Sequence, residues 1–304
     1  MSKMIVTGGA GFIGSNLVDL LVSKGHDVTV IDDLSTGKLE NLARLGDRVE
    51  LIEKDISRIS GEDLAGVDTI FHLAALIDVV TSMDDPVSDA KVNYLGTINV
   101  LEQARIAGID QIILTSSAAV YGDTSEIPTT EDAVKFPLSP YGNNKLSSEN
   151  MLRMYNEIYG MKNTIFRLFN VYGPRQDPSN PYSGVISKFM KRASKDLELL
   201  IYGDGEQTRD FVYVEDVCRS LYQAHCVKVP GTFNVGTGKE TSVNALARVV
   251  IDVIGSKSTI GYRERRPGEI IRSVADSSRL KDRLSISPDI GIKDGIERYW
   301  SSIS

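Results

Sequence analysis

The sequence of 304 residues is poor in the residue types that mark several functional classes. It contains two cysteines, Cys218 and Cys226, three histidines and one tryptophan. Two cysteines without CxxC spacing build no disulfide framework, and we expect both to be reduced thiols on or near one helix. The three histidines have no metal-ligand spacing, so the sequence predicts no metal site.

The chain also lacks an excess of basic residues and any long apolar run. Lysine and arginine number 34 against 41 aspartates and glutamates, which gives a net charge of −7 and predicts neither nucleic acid nor an anionic membrane as a partner. No run reaches the roughly 18 apolar residues of a membrane span. The first residues lead into a glycine motif and not into the apolar segment of a signal peptide, so we expect a cytoplasmic protein.

Apolar runs alternate with helical periodicity through the first half of the chain, as is typical of an α/β fold. The predicted strands cover residues 4–8, 27–33, 49–55, 67–75, 111–117 and 162–173, and long helices are predicted near 87–107 and 140–159. Strands separated by helices imply βαβ crossovers, and therefore a doubly wound parallel sheet with helices on both faces.

The pattern changes after Gly173, where prolines lie among Asp, Asn and Ser. We therefore predict a nucleotide-binding domain over residues 1–170 and a smaller C-terminal α/β substrate lobe, mainly residues 171–304. Part of the segment 210–240 is expected to return to the first domain. The lobe is predicted to contain helices near 185–194, 244–254 and 293–300, and a strand at 199–203.

A glycine motif follows the first predicted strand and opens the first helix. Gly8, Gly11 and Gly14 permit a tight turn and a close approach of the backbone to a pyrophosphate, which the helix N-terminus attracts. Eighteen residues after Gly14, the second strand ends at Asp32, followed by Asp33. A carboxylate there accepts hydrogen bonds from a ribose 2′-hydroxyl and repels a 2′-phosphate, which favours NAD over NADP.

Asp55 ends the third predicted strand, where its carboxylate is placed to meet the adenine amino group. A polar strand end without ligand contact is the alternative.

Tyr141 and Lys145 form a YxxxK motif near the start of a predicted helix, on one helix face. A nearby ammonium and an oxidised nicotinamide both favour the phenolate, so the tyrosine becomes a base at neutral pH. Ser117 closes the fifth strand, at the edge of a parallel sheet where ligands bind. We predict that these three residues form the catalytic group.

Several stretches together resemble the extended short-chain dehydrogenase/reductases, over nearly the whole chain. They are TGGAGFIGSN, HLAA, TSSAAVYG, SPYGNNK, RLFNVYGPRQ, YGDGEQTRDFVYVEDV and RRPGEI. Within that family the chain most resembles NAD-dependent UDP-sugar 4-epimerases. The resemblance implies a Rossmann-like domain, bound NAD, and a homodimer through the helices near 87–107 and 140–159.

The resemblance also implies which residues contact NAD and the nucleotide sugar. Beyond the glycines, the NAD site is expected to contain Phe12, Ile13, Asp32, Asp33, Thr36, Gly37, Asp55, Ile56, Leu73, Ala74, Ala75, Asn93, Tyr141, Lys145 and Phe169. The UDP-sugar is expected to meet Ser117, Asn170, Val185, Leu200, Tyr202, Arg209, Arg266, Glu269 and Ser273. Arginine suits the diphosphate because its guanidinium donates paired hydrogen bonds to phosphate oxygens.

Relatives on the same scaffold also dehydrate or decarboxylate their substrates. In dehydratases an acidic residue follows the strand-end hydroxyl, whereas this chain has Ala118 and Ala119. Alanine transfers no proton, so we expect epimerisation at C4 through a 4-keto sugar. A dehydratase, a decarboxylase, a uronate epimerase and a non-catalytic NAD-binding regulator are the alternatives.

Ser273 bears on the choice of sugar. Epimerases limited to plain hexoses carry a bulky tyrosine at the matching position, and a small residue leaves room for a 2-N-acetyl group. We therefore expect both UDP-glucose/galactose and their N-acetylated forms as substrates. The alternative is that Ser273 lies in a loop and other residues set the size of the pocket.

Overall fold

The computed structural model describes residues 1–177, 184–265 and 270–303. The described strands are β1 Lys3–Thr7, β2 Asp27–Asp32, β3 Val49–Glu53, β4 Thr69–His72, β5 Ile112–Ser117, β6 Thr164–Leu168, β7 Asn170–Tyr172, β8 Leu199–Tyr202, β9 Thr208–Arg209, β10 Phe211–Tyr213, β11 Gly231–Val235, β12 Thr241–Ser242 and β13 Ile260–Arg263. The α-helices are α1 Phe12–Ser23, α2 Val79–Asp84, α3 Pro86–Ala90, α4 Thr97–Ile106, α5 Pro140–Tyr159, α6 Val185–Ala193, α7 Val214–Val227, α8 Val243–Ile254, α9 Ser278–Leu284 and α10 Ile292–Ser301.

Seven strands form one parallel sheet in the order β11-β6-β5-β4-β1-β2-β3. The order reverses beside β1, which is the switch point of a doubly wound fold. The predicted α/β class with a Rossmann-like parallel sheet is therefore confirmed.

Helices cover both faces of this sheet because successive strand residues point to opposite sides. Met4 and Val6 of β1 belong to the core that contains α1 and α7, whereas Ile5 belongs to the core that contains α4 and α5. All three side chains are fully buried. This two-sided burial explains why the strands are continuous apolar runs in the sequence.

The single strand predicted over residues 162–173 is wrong. The chain forms β6 and then β7, interrupted at Phe169. β6 stays in the large sheet, while β7 leaves it and pairs with β10. The run continues across the break because β6 is buried throughout and Phe169 and Tyr172 are buried as well, and such a run contains no signal for a change of sheet.

The helix predicted near 87–107 is also interrupted. A π-helical turn, Lys91–Gly96, separates α3 from α4. Within it, the carbonyl of Asn93 accepts hydrogen bonds from the hydroxyls of Thr97 (2.8 Å) and Ser148 (2.7 Å). Turns of this kind often mark functional sites. No helix in the described ranges is long and apolar enough to cross a membrane.

The second half of the chain has its own core, which contains α6, α8 and α10 with β8 and β13. The segment after β10 returns to the large sheet: α7 packs against α1, and β11 pairs with β6.

A buried ion pair joins the helix α5 to the sheet. Arg167 of β6 and Glu149 of α5 are both fully buried, and their closest nitrogen and oxygen are 2.6 Å apart. Arg167 also donates to the hydroxyl of Tyr121 and the carbonyl of Glu131, both at 2.9 Å. Glu149 also accepts from Ser116 of β5 at 2.6 Å. The network fixes α5 across two strands.

Replacement of Arg167 by leucine should therefore destabilise the fold strongly. Glu149 would lose its buried cation, a change that typically costs about 3–5 kcal/mol. Urea unfolding followed by circular dichroism measures this loss of unfolding free energy. Arg105→Leu, which breaks a partly exposed pair with Glu102, serves as the control and should change stability much less. Equal losses in both variants would contradict this role for the network.

Candidate active site

The residues predicted to contact NAD converge at one edge of the large sheet. Most of them lie at the carboxyl ends of its parallel strands or directly after them, and a few lie on the adjoining helices. The glycine turn follows β1, Asp32 closes β2, Asp55 follows β3, and Leu73 follows β4. This is the edge where doubly wound sheets bind their ligands.

The glycine turn brings the chain close to itself and leaves the start of α1 uncapped. A Cβ on Gly14 would lie 2.1 Å from the carbonyl oxygen of Gly8, and a Cβ on Gly8 would lie 2.7 Å from the amide nitrogen of Ala74. No described side chain caps the N-terminus of α1, which begins at Phe12 and Ile13. Free amide groups at a helix start form an anion site. The turn therefore fits a pyrophosphate.

Asp32 is almost fully buried beside this turn. Its carboxylate accepts hydrogen bonds from the amides of Ala10 and Leu34, both at 2.9 Å. Burial raises the pKa of Asp32, and the two backbone hydrogen bonds act in the opposite direction. A Cβ on Gly37 would lie 2.6 Å from the carboxylate, so glycine is needed there. A carboxylate in this place fits the ribose hydroxyls of NAD.

The remaining predicted residues near β2 and β3 are less enclosed. Asp33 is exposed and accepts hydrogen bonds from the amide and hydroxyl of Ser35, and Thr36 is exposed as well. Asp55 caps a short 3₁₀ helix through the amide of Ser57 at 2.7 Å, while Ile56 is buried.

The other predicted NAD residues lie on the side of β4 and β6. Leu73, Ala74 and Ala75 form the loop after β4, with partly buried side chains. Asn93 is fully buried, and its amide group exchanges two hydrogen bonds with the backbone of Leu76. Phe169 is buried at the break between β6 and β7.

The start of α5 brings together the side chains that the sequence predicts to be catalytic. Ser139 caps the helix through the amide of Gly142, and Pro140 occupies its first turn. A Cβ on Gly142 would lie 2.7 Å from the carbonyl of Ala119, so this glycine allows the helix to approach the end of β5. Tyr141 is thereby placed beside the Ser117 side chain.

Burial dominates the electrostatics of Tyr141. It raises the pKa of the phenol to about 12, and the hydrogen bond to Ser117 acts in the opposite direction. The sequence argument expected the Lys145 ammonium to lower this pKa, but in this structure the pKa is raised, and burial is the main cause. The phenol is therefore protonated at neutral pH unless a further positive charge lies beside it.

Lys145 is buried, and its Nζ donates to the carbonyl of Thr115 at 3.0 Å. Burial lowers the pKa of Lys145 to about 8, while the carboxylates of Asp89 and Glu149 act to raise it. The lysine is thus mostly an ammonium at neutral pH.

A cavity of about 570 Å³ lies beyond β7, next to α6 and β8. Its lining includes five residues that the sequence analysis assigned to the nucleotide sugar, namely Asn170, Val185, Leu200, Tyr202 and Arg209. The structure thus brings together residues that are up to 39 positions apart in the sequence.

Sequence reasoning missed a row of basic residues in the same cavity. Lys188, Lys191, Arg192 and Lys195 line it from α6 and the turn that follows. Their spacing of three, four and seven residues places them on one helix face, a signal that was readable in the sequence. The cavity therefore offers five cationic side chains, Arg209 included, to an anionic ligand.

Of the remaining predictions, Arg266 and Glu269 lie outside the described residues. Ser273 is partly buried, and its carbonyl accepts a hydrogen bond from the amide of Asp210 at 2.9 Å. This contact places the backbone of Ser273 beside Asp210, the neighbour of Arg209 in the chain, whereas Ser273 itself is not among the residues that line the cavity.

Comparison with known proteins identifies the family. The family model described as GDP-mannose 4,6 dehydratase matches residues 5–299. UDP-glucose 4-epimerase of Mycolicibacterium smegmatis is 40% identical over an alignment of 306 positions, gaps included, which covers 97% of this chain and 96% of that protein. A relative with a different name, UDP-glucuronic acid decarboxylase 1 of Arabidopsis thaliana, is 36% identical, and the match covers 98% of this chain and 69% of that protein.

Solved structures agree with this result. UDP-N-acetylglucosamine 4-epimerase from Methanobrevibacter ruminantium, in complex with UDP-N-acetylmuramic acid, superposes with a TM-score of 0.94 at 35% identity, over 99% of both chains. The NAD complex of Thermus thermophilus UDP-glucose 4-epimerase gives 0.89 at 34% identity, over 98% of both chains. The chain belongs to the extended short-chain dehydrogenase/reductases, within their NAD-dependent group of enzymes that epimerise, dehydrate or decarboxylate nucleotide sugars.

Proposed function

We propose that the protein is an NAD-dependent UDP-hexose 4-epimerase, which interconverts UDP-glucose with UDP-galactose and UDP-N-acetylglucosamine with UDP-N-acetylgalactosamine. The observation that carries this proposal is the end of β5, where the Ser117 side chain meets the Tyr141 phenol and two alanines follow. The UDP group would occupy the cavity lined by Asn170 and Arg209.

The chemistry follows from the groups at this edge. Tyr141 takes the proton of the sugar 4-hydroxyl, and Ser117 hydrogen-bonds the same oxygen. When bound at this edge, NAD+ would supply a hydride acceptor for C4 and, once reduced, a hydride donor to the 4-keto sugar. Lys145 contributes the positive charge that favours the phenolate, and the charge of the oxidised cofactor adds to it. The 4-keto sugar turns over between the two half-reactions.

The pair Ala118–Ala119 favours epimerisation over dehydration. The two alanines begin a 3₁₀ turn, Ala118–Val120, directly beside Ser117, and both remain partly accessible. Loss of the C6 hydroxyl requires an acid and a base in addition to Tyr141. Alanine offers neither, so the reaction at this position stops at the exchange of hydrogen at C4.

We also propose a homodimer formed through α5 and the helical segment near residues 87–107. Met154 and Ile158 lie four residues apart on one face of α5, and both are exposed. Leu95 of the π-helical turn and Ile106 of α4 are exposed as well. Burial of such an apolar surface in an interface is favourable.

Purified protein incubated with UDP-glucose, without added cofactor or with NAD alone, should yield UDP-galactose and no net NADH. Tyr141→Phe should lower turnover by about 100-fold or more, because the proton acceptor is lost. Tyr155→Phe, the same change further along α5, is the matched control and should retain activity. A 4-keto-6-deoxy product or a decarboxylated pentose from UDP-glucuronic acid would instead identify the alternative reactions.

Ser273→Tyr should abolish turnover of the N-acetylated sugars and leave UDP-glucose and UDP-galactose as substrates, because the larger ring fills the space for the acetyl group. The ratio of kcat/KM for UDP-N-acetylglucosamine and UDP-glucose measures the effect, and Ser273→Ala should leave this ratio unchanged. An unchanged ratio in Ser273→Tyr would show that other residues limit the size of the pocket.

Ile158→Glu should weaken the dimer, since a carboxylate would be buried in an apolar interface. Sedimentation velocity over a range of concentrations measures the dimer dissociation. Ile303→Glu, at an exposed apolar residue near the C-terminus, is the control. A wild-type protein that sediments as a monomer at all concentrations would refute the dimer.

A further inference from the structure

Asp89 of α3 is a buried carboxylate behind the catalytic helix. Its side chain is 2% exposed. One carboxylate oxygen accepts a hydrogen bond from the Asn144 amide at 2.7 Å, and the other accepts one from the Asn93 amide at 2.9 Å. Both partners are N–H donors, which suits an ionised carboxylate. Both are also neutral, and no described cation forms an ion pair with Asp89.

These two hydrogen bonds connect Asp89 to both sides of the active site. Asn144 lies between Tyr141 and Lys145 on α5. Asn93 accepts a hydrogen bond from the amide of Leu76 at 3.0 Å and donates to its carbonyl at 2.8 Å, so it holds the loop after β4. Asp89 therefore lies at the junction between the catalytic helix and the loop expected to border NAD.

The charges around Lys145 come from three elements. The titratable groups are Tyr141 and Glu149 on α5, His72 on β4 and Asp89 on α3. Burial lowers the pKa of His72 to about 3, so its ring is neutral. Glu149 forms ion pairs at 2.6 Å with both Arg167 and Arg153. Its negative charge is thus balanced by other cations. Asp89 is the acidic group near Lys145 without a cation of its own.

We propose that Asp89 is a positioning residue that serves as the counter-charge of Lys145. It keeps the buried lysine in its ammonium form, and through Asn93 and Asn144 it fixes that ammonium relative to the loop after β4. This inference rests on the proposed function only for its kinetic consequences. The interaction acts through a buried region, where charges influence one another over longer distances than in water.

The direction of the effect on titration follows from the sign of the charge. A negative charge near Lys145 favours the ammonium and raises the pKa of Lys145. The same charge disfavours the phenolate and raises the pKa of Tyr141. Loss of the charge should therefore lower both pKa values. Because the active pair is a phenolate beside an ammonium, both limbs of the pH profile of kcat/KM should shift to lower pH.

The test compares the wild type with Asp89→Asn, in which the side chain keeps its shape and the Asn144 amide can rotate to accept a hydrogen bond. The first measurement is the ultraviolet difference titration of tyrosinate in NAD-loaded protein without sugar, each protein against its Tyr141→Phe counterpart. The second is the pH profile of UDP-galactose formation. We expect the phenol titration and both limbs to move to lower pH by about half a unit to one unit.

Three further variants make the result specific. Asp89→Ser removes the charge with a smaller side chain and replaces Asp89→Asn if that protein does not fold. Asp89→Glu keeps the charge and should retain the wild-type titration. Asp216→Asn removes a buried carboxylate of α7 that accepts hydrogen bonds from the amides of Asp289 and Ile290, and should shift nothing.

The outcomes separate this inference from the proposed function. An unchanged phenol titration in both Asp89→Asn and Asp89→Ser overturns the counter-charge role, even if turnover falls. A shift of the same size in Asp216→Asn also overturns it, since the effect would then be general. If no UDP-hexose is epimerised, the proposed reaction fails, while the sugar-free titration still decides the role of Asp89.

Discussion

The Lys145 ammonium lies inside the protein, where burial alone opposes its charge and lowers its pKa to about 8. The same burial raises the pKa of the Tyr141 phenol to about 12. The proposed reaction requires a phenolate beside an ammonium, and the burial of both groups opposes both of these charged forms. What makes the arrangement possible is the surrounding structure: the carbonyl of Thr115 binds the ammonium, carboxylates oppose its neutralisation, and the positive charge of the cofactor must complete the balance. Cofactor binding is thus part of the acid–base chemistry as well as of the redox step.

The position of this pair depends on contacts made elsewhere. The close approach of Gly142 to Ala119 brings α5 against the end of β5, and the pair Arg167–Glu149 fixes the same helix across β5 and β6. A displacement of α5 would separate Tyr141 from Ser117 and Lys145 from Thr115 together. The ion pair is one turn beyond Lys145, so its contribution to stability and its contribution to the geometry of the active site have the same origin.

The sheet, the glycine turn and the YxxxK motif could be predicted from the sequence because each is encoded within a few residues. Their proximity could be predicted as well, since ligand-binding residues of a parallel sheet lie at one of its edges. The break at Phe169 and the π-helical turn at Asn93 were missed, since apolar runs and helical periodicity continue through both. The buried network was missed for a different reason. Glu149 and Arg167 are ordinary charged residues in the sequence, and only the tertiary packing shows that they face each other in the core.

Different residues of this fold serve the oxidation step and the steps that follow it, which explains why relatives with one scaffold carry names of different reactions. In the proposed reaction, oxidation at C4 uses only the cofactor edge and the group Ser117, Tyr141 and Lys145, and the same parts would suit dehydration and decarboxylation. The outcome then depends on what else touches the 4-keto sugar. At the end of β5 this chain presents alanines, which neither remove a proton nor protonate a leaving group. Because alanine is neither an acid nor a base, the proposed reaction leaves the 4-keto sugar one path at that position, the return of hydride to C4, and the freedom of the sugar to rotate in the site then decides the configuration of the product.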